Sequence, residues 1–416
     1  MAKDAKAKEE ASARKTILGI NGLGRIGKLT LWNQIGRKYF SEIVVNIGRD
    51  AGTNLKDIAH YIEKDSTYRS IHNYLYGYKA KRFIENINEK KGSMKIDGIP
   101  VTILKETRNP ADIPWSDYGV NYVIDATGKF LDPGVSEDDK NGSLRGHLKG
   151  SVRKVLVSAP YKLKDKSAAW PEDSITIVMG VNDKEYNPAK HKFISAASCT
   201  TTCLSHMLKP LLNHFGHERI LGITMSTVHA VTGSQNLLDR LPKAGASDLR
   251  KNRSVLNNII LTTTGVSKTL SLILPETKHI GFIAESIRVP TSAGSLIVLV
   301  LTVANDKEPL SKEIINDIYR RASIKEKRGY LYYTEEQNVS SDIIGTIGPA
   351  AIIEGHDTYT SNSNINLNLN EFLNKAEKSA SKINVSVGQA VIHGWYDNEF
   401  GSFTNILGDL TVKVAS

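Results

Sequence analysis

The chain has 416 residues, more than one hydrophobic core normally organises, and 40% of them are hydrophobic, so two domains with ample cores are expected. Its two cysteines, Cys199 and Cys203, stand too close together to staple a fold, which excludes a disulfide framework and points to a reducing compartment, and the longest apolar run, residues 296–301, is too short to span a bilayer. The formal net charge of +10 suits anionic ligands; the basic residues are spread along the chain without zinc-finger spacing, an aromatic RNA-binding pattern or a recognition helix, which argues against a specific nucleic-acid function and leaves a soluble, cytoplasmic protein as the expectation.

Residues 1–15, with Lys3, Lys6, Lys8, Arg14 and Lys15 against Asp4, Glu9 and Glu10, lack the apolar stretch of a signal peptide and read as a disordered tail. Residues 16–21 then read as a strand, and Gly22-Leu23-Gly24-Arg25-Ile26-Gly27 follows it directly, before Leu29, Leu31 and Trp32 open a helix. This is GxGxxG in the setting its mechanism needs. Gly22 permits the tight turn, Gly24 lets backbone approach a pyrophosphate, and Gly27 lets helix and strand pack closely while the helix N-terminus faces the anion. Further short apolar runs at 43–47, 122–126, 155–158 and 175–180 are separated by longer connections, the pattern of an open, largely parallel sheet.

Cys199 is followed by Leu204, Met207, Leu208, Leu211 and Leu212 at helical spacing, which places it in the first turn of a helix, where the macrodipole favours a thiolate. Thr227-Val228-His229 follows, and an imidazole brought beside the sulfur would form a thiolate–imidazolium pair and leave a proton donor at the reacting carbon. From these residues alone, a buried structural thiol with an unrelated strand histidine is the competing reading. Cys203, one helical turn on, reads as structural. Long β-rich runs at 220–228, 281–289, 295–304 and 383–394, with helical stretches between them, suggest a mixed sheet.

Ten motifs in order carry a resemblance: Asn21-Gly-Leu-Gly-Arg-Ile-Gly27, Lys64-Asp-Ser-Thr67, Ala126-Thr-Gly128, Val157-Ser-Ala-Pro160, Met179-Gly-Val-Asn182, Ser198-Cys-Thr-Thr201, Thr227-Val-His-Ala230, Thr262-Thr-Thr-Gly265, Arg288-Val-Pro-Thr291 and Trp395-Tyr-Asp-Asn-Glu-Phe-Gly401. With these the chain resembles the phosphorylating glyceraldehyde-3-phosphate dehydrogenases over residues 16 to about 412. The resemblance implies an α/β fold: a Rossmann-type doubly wound parallel sheet plus an α+β catalytic domain built on a mixed, largely antiparallel sheet. It implies a dinucleotide-binding domain of residues 16–197 and 395–416, the last segment returning as a helix, and a catalytic domain of 198–394. Cys199 and His229 become nucleophile and base for oxidation of an aldehyde phosphate through a hemithioacetal and thioester, with inorganic phosphate resolving the thioester. NAD or NADP would lie on Gly22 to Gly27, Thr127, Gly128 and Ser158, with Asn398 at the nicotinamide. Thr232 and Arg288 would hold the substrate phosphate, and Ser198, Thr200, Arg250, Thr264 and Gly265 the inorganic phosphate, with Arg253 the nearest competitor for the place of Arg250; no metal is implied. A homotetramer is the implied assembly.

The chain also departs from that family. Where NAD-using relatives place an Asn-Asp pair, Val44-Val45-Asn46-Ile47-Gly48-Arg49-Asp50 sets Arg49 on the carboxylate position, which favours a 2′-phosphate and so NADP, unless Asp50 takes that position and keeps the NAD rule. Thr202 and Ser402 replace an asparagine and a tyrosine near the nicotinamide. Residues 131–150, with Asp132, Glu137, Asp138 and Asp139, read as a solvated loop; residues 235–248 are long in a loop that relatives use near a neighbouring subunit's cofactor; and in 355–381 Asn362, Asn364, Asn366, Asn368 and Asn370 alternate with Ser363, Ile365, Leu367 and Leu369 as in an extended edge segment with a wet face. An enzyme for a longer aldehyde such as erythrose 4-phosphate, with water resolving the thioester, is one alternative; a non-catalytic nucleotide-binding scaffold is the other.

Overall fold

The apolar runs of the first half pair into one sheet and the β-rich runs of the second half into another. The computed structural model describes residues 16–77, 83–105, 107–165, 167–233, 235–242, 244–246, 248–305, 308–368 and 383–416. The expected tail at 1–15, the pair Leu369 and Asn370, and residues 371–381 lie outside them. The chain divides into two units, one reaching Ser198 and including Thr404–Ser416, the other Cys199–Phe403.

In the first unit the strands are β1 (Ile17–Asn21), β2 (Glu42–Asn46), β3 (Lys64–Asp65), β4 (Arg69–Ser70), β5 (Ile84–Asn88), β6 (Ser93–Ile96), β7 (Ile99–Leu104), β8 (Tyr122–Asp125), β9 (Lys154–Val157), β10 (Ser174–Thr176) and β11 (Phe193–Ser195). All but β3 and β4 form one sheet in the order β10-β11-β9-β8-β1-β2-β7-β6-β5. It is parallel from β10 to β7 and antiparallel only over β7, β6 and β5. The chain leaves β1 toward β2 on one side and later fills β8 on the other, so β1 marks the point where strand order reverses. Register sets Asn21 level with both Asn46 and Asp125, so three strand ends open flush on one crevice, the usual ligand position in such sheets.

The helix Arg25–Arg37 leaves β1, and the helix Asn405–Ala415 returns to it: Arg37 reaches Asp409 at 2.5 Å and the Asn405 carbonyl at 2.9 Å. This return begins later than expected. Trp395 and Tyr396 complete the last strand of the second unit, and residues up to Phe403 stay with that unit.

Residues 131–150 are not simply a solvated loop. Asp132, Glu137, Asp138 and Asp139 do lie at or near the surface, but Ser143, Leu144, Gly146 and His147 are buried, and Leu144 joins Trp115, Val123 and Phe193 in a core cluster. Acidic and glycine-rich composition concealed these inward-facing residues.

The second unit contains β12 (Ile220–His229), β13 (Ile260–Thr262), β14 (Gly281–Arg288), β15 (Ser295–Ala304), β16 (Leu331–Thr334), β17 (Ala351–Glu354), β18 (Tyr359–Leu367) and β19 (Ile383–Tyr396), in the order β13-β14-β12-β15-β19-β17-β16 with β18 paired to β19. Only β12–β14 and β16–β17 are parallel. Period-two burial turns Met225, Thr227 and His229 of β12, Ser295 and Ile297 of β15, and Ile392, Gly394 and Tyr396 of β19 inward. The helix Cys199–Phe215 lies on this face, where a Cβ on Gly394 would stand 2.4 Å from Met207 Sδ, so that any larger residue would have to displace the methionine. β18 confirms an extended segment at 359–367, and Asn362, Asn364 and Asn366 are exposed, although Asn362 also holds the Leu310 backbone at 2.8 and 3.0 Å. No helix among the described residues is long and apolar enough to cross a membrane.

Candidate active site

Cys199 opens its helix directly after a turn in which Ala197 takes a left-handed φ of 57°, a conformation costly for a residue with a Cβ. Its sulfur lies 3.4 Å from His229 Nε2. His229 ends β12, and the parallel register sets it beside Arg288 at the end of β14. A guanidinium N–H of Arg288 donates to the Ala230 carbonyl at 3.0 Å and abuts His229 Nδ1, which is also 2.7 Å from that carbonyl. When the ring proton sits on Nδ1 and faces Ala230, the Nε2 lone pair faces the thiol.

Electrostatics here run against a preformed ion pair. Burial, and then the neighbouring Arg288 charge, push His229 down to about 4. Burial raises the Cys199 thiol, and Arg288 with the Thr200 hydroxyl and N–H only partly opposes it. The pair is therefore thiol and neutral imidazole at neutral pH, not the thiolate–imidazolium pair expected from residue types. The helix terminus and the cation are present; desolvation outweighs them.

Tyr396 ties the two partners together. Its buried hydroxyl lies 3.1 Å from Thr200 Oγ1 and 2.8 Å from Thr227 Oγ1, joining the first turn of the Cys199 helix to the strand that carries His229, and its ring meets the imidazole edge-on. Nothing in the sequence singles out Tyr396 beyond its place in the motif Trp395 to Gly401, beside Asp397-Asn398. Asn398 is buried and accepts from the Ser295 hydroxyl at 3.0 Å.

Other expected residues are placed as follows. Thr232 is half-buried and its N–H donates to Gln235 Oε1 at 2.9 Å. Thr264 precedes the helix Val266–Ile273, with Gly265 at its cap. Arg250 lies in an exposed turn, its Nε 2.8 Å from Asp248 Oδ1. Ser198 is the last residue of the first unit. Thr202 is buried in the helix, and Ser402 is buried with its hydroxyl accepting from the Asp397 N–H at 3.0 Å.

In the first unit a cleft of about 560 Å³ opens over the flush ends of β1, β2 and β8. Of the expected set, Gly22, Leu23, Gly24, Arg49 and Thr127 line it, together with Asp57 and Tyr61. Arg25, Ile26, Gly27, Asp50, Gly128 and Ser158 lie outside that lining. Gly22 has φ 97°, and a Cβ on Gly27 would stand 2.0 Å from the Gly22 carbonyl oxygen, whereas one on Gly24 meets nothing within 4 Å. Arg25 and Lys28 both pair with Asp65, whose burial would raise its pKa but whose bonds to these cations hold it down to about 2. Behind the cleft, Asp125 receives the Thr127 hydroxyl at 2.6 Å and Asn21 Nδ2 at 3.0 Å. Trp115 Nε1 donates to His147 Nδ1 at 3.1 Å, leaving His147 Nε2 to donate to Asp125 at 3.1 Å.

Residues 16–133 match the NAD binding domain of glyceraldehyde 3-phosphate dehydrogenase, and residues 198–369 match its C-terminal domain. Glyceraldehyde-3-phosphate dehydrogenase 2 of Streptomyces avermitilis is 35% identical over 399 residues, 96% of this chain and 98% of that protein. Glyceraldehyde-3-phosphate dehydrogenase of Borreliella burgdorferi is 34% identical over 398 residues, 95% of this chain and 99% of that protein, and glyceraldehyde-3-phosphate dehydrogenase 1 of Bacillus cereus is 32% identical over 402 residues, 96% and 99%. The chain belongs to the glyceraldehyde 3-phosphate dehydrogenase family.

The family's dinucleotide fits the first unit on the structure's own terms. Gly24 caps the helix Arg25–Arg37 without any side-chain hydrogen bond, leaving first-turn N–H groups for an anion, and the space above it is open. The cleft also has the volume of a dinucleotide subsite.

Proposed function

We infer that this family member is a phosphorylating glyceraldehyde-3-phosphate dehydrogenase that uses NAD or NADP, reversible in direction. The observation that carries the reading is Cys199 Sγ 3.4 Å from His229 Nε2, at a helix start and beside a half-buried arginine. Cys199 Sγ bonds to the aldehyde carbon as its proton passes to Nε2, and Nε2 returns that proton to the new oxygen. When bound, the dinucleotide supplies a hydride acceptor. Nε2 takes the hydroxyl proton as the carbon is oxidised, which leaves a thioester on Sγ. Inorganic phosphate then displaces the sulfur as an acyl phosphate forms, and the proton on Nε2 returns to Sγ.

Arg288 and Thr232 are assigned to the substrate phosphate, and Ser198, Thr200, Thr264, Gly265 and Arg250 to the inorganic phosphate. In that role Arg250 must exchange Asp248 for the anion. Asn398 is assigned to the nicotinamide. Residues 16–197 are assigned to cofactor binding, together with the C-terminal helix, and the second unit to catalysis. A homotetramer is supported by exposed apolar side chains, Leu237 at 64%, Leu241 at 91%, Ile259 at 75% and Ile283 at 67%. A cytoplasmic location suits two unbridged thiols.

The test is reduction of NAD and NADP by glyceraldehyde 3-phosphate with and without phosphate or arsenate. Dependence on the oxyanion, abolished in Cys199→Ser, supports the reading; turnover at full rate without it would assign the thioester to water.

A further inference from the structure

We propose that Ser295 fixes the side-chain amide of Asn398 so that it offers its NH2 group, and not its carbonyl, to the cofactor. The inference rests on the assignment of Asn398 to the nicotinamide. Ser295 opens β15 and is fully buried; its Cα pairs across the sheet with Tyr396, two residues before Asn398. The hydroxyl oxygen accepts the Ala230 N–H at 3.1 Å and stands 3.0 Å from Asn398 Oδ1.

A count of protons sets the direction. The Ser295 oxygen is already an acceptor for Ala230, and its own proton needs an acceptor in a place closed to water. Asn398 Oδ1 is that acceptor. With the amide turned over, two N–H groups would converge on one hydroxyl and the serine proton would have no acceptor, a disadvantage of about tenfold or more in population. With Oδ1 engaged, Nδ2 is the atom left to serve a ligand, so Asn398 acts as a donor and selects a carbonyl oxygen on the nicotinamide ring's substituent. The same hydroxyl also holds the N–H of Ala230, the residue whose carbonyl faces His229 Nδ1. Ser295 is thus a positioning residue shared by base and cofactor.

The test uses equilibrium binding to the full chain by calorimetry, with NAD, its 3-acetylpyridine analogue and ADP-ribose. The analogue keeps the carbonyl and replaces the amide NH2 by a methyl group, so the wild type should bind it within about threefold of NAD. Asn398→Ala should weaken NAD about tenfold with ADP-ribose unchanged; if NAD and ADP-ribose keep their ratio in that variant, the assignment of Asn398 itself is wrong. Ser295→Ala should weaken NAD about fivefold, again sparing ADP-ribose, and should add nothing to Asn398→Ala. A Ser295→Ala protein with the wild-type NAD to ADP-ribose ratio, beside an Asn398→Ala protein whose ratio has changed, overturns the role of Ser295 alone. Tenfold weaker binding of the acetylpyridine analogue to the wild type overturns the donor orientation without any variant.

Discussion

Acidification from pH 7 to pH 4 should cost the wild-type protein stability that a His229→Asn variant keeps. An imidazole that ordinarily titrates at 6.5 is held down to about 4 here by burial and by Arg288. The unfolded chain then binds the proton first, so this contribution is complete above the unfolded value, falls away as pH drops from 6.5 toward 4, and is gone below that. The gap corresponds to about 3 kcal/mol. In a unit of this size that is a shift of roughly 6–12 °C in Tm. Calorimetry of both proteins at the two pH values reads the difference; Tm values that fall in parallel would refute the reasoning. The thiol gives a second reading of the same pair. Burial raises the thiol and lowers the imidazole, so moving the proton from Sγ to Nε2 is opposed at both ends. Alkylation of Cys199 by iodoacetamide in the ligand-free enzyme should therefore rise about tenfold per unit between pH 6 and 8, and a flat profile would restore the ion pair.

Gly27→Ala should lower Tm by an amount equivalent to about 3 kcal/mol, because the methyl group would stand 2.0 Å from a backbone oxygen, whereas Gly24→Ala should leave Tm unchanged and lose dinucleotide affinity. Arg49 lines the cleft and Asp50 does not, so kcat/KM with NADP should at least equal that with NAD, and Arg49→Asp should shift the ratio toward NAD about tenfold; a hundredfold NAD preference in the wild type contradicts this. His147→Ala should destabilise the first unit by about 3 kcal/mol, read by thermal melting, since it strands the Trp115 N–H and strips one donor from a buried carboxylate.

The parts of this molecule that were legible in its sequence are the local ones. GxGxxG followed a strand and opened a helix because the three glycines are close in the chain, and Cys199 opened a helix because the leucines after it repeat at helical spacing. The register that sets Arg288 beside His229 depends on pairing between strands 59 residues apart, and nothing in either strand announces it. Tyr396 and Ser295 likewise become meaningful only when β19 and β15 align. Charge state was misread for a related reason: a helix start and a nearby base are visible in residue types, but the burial that outweighs them belongs to the assembled core. The return of the chain to the first unit was anticipated too early because the motif from Trp395 to Gly401 straddles the end of a strand and the turn after it.

Residues 131–150 look expendable by composition to anyone trimming the chain. The same twenty residues deliver the imidazole that braces Asp125, and Asp125 in turn anchors Thr127 at the lip of the dinucleotide cleft. An excision of the whole stretch would pull out a wedge from behind the binding surface, and a minimised enzyme would need either to keep residues 143–148 or to supply Asp125 with a substitute donor.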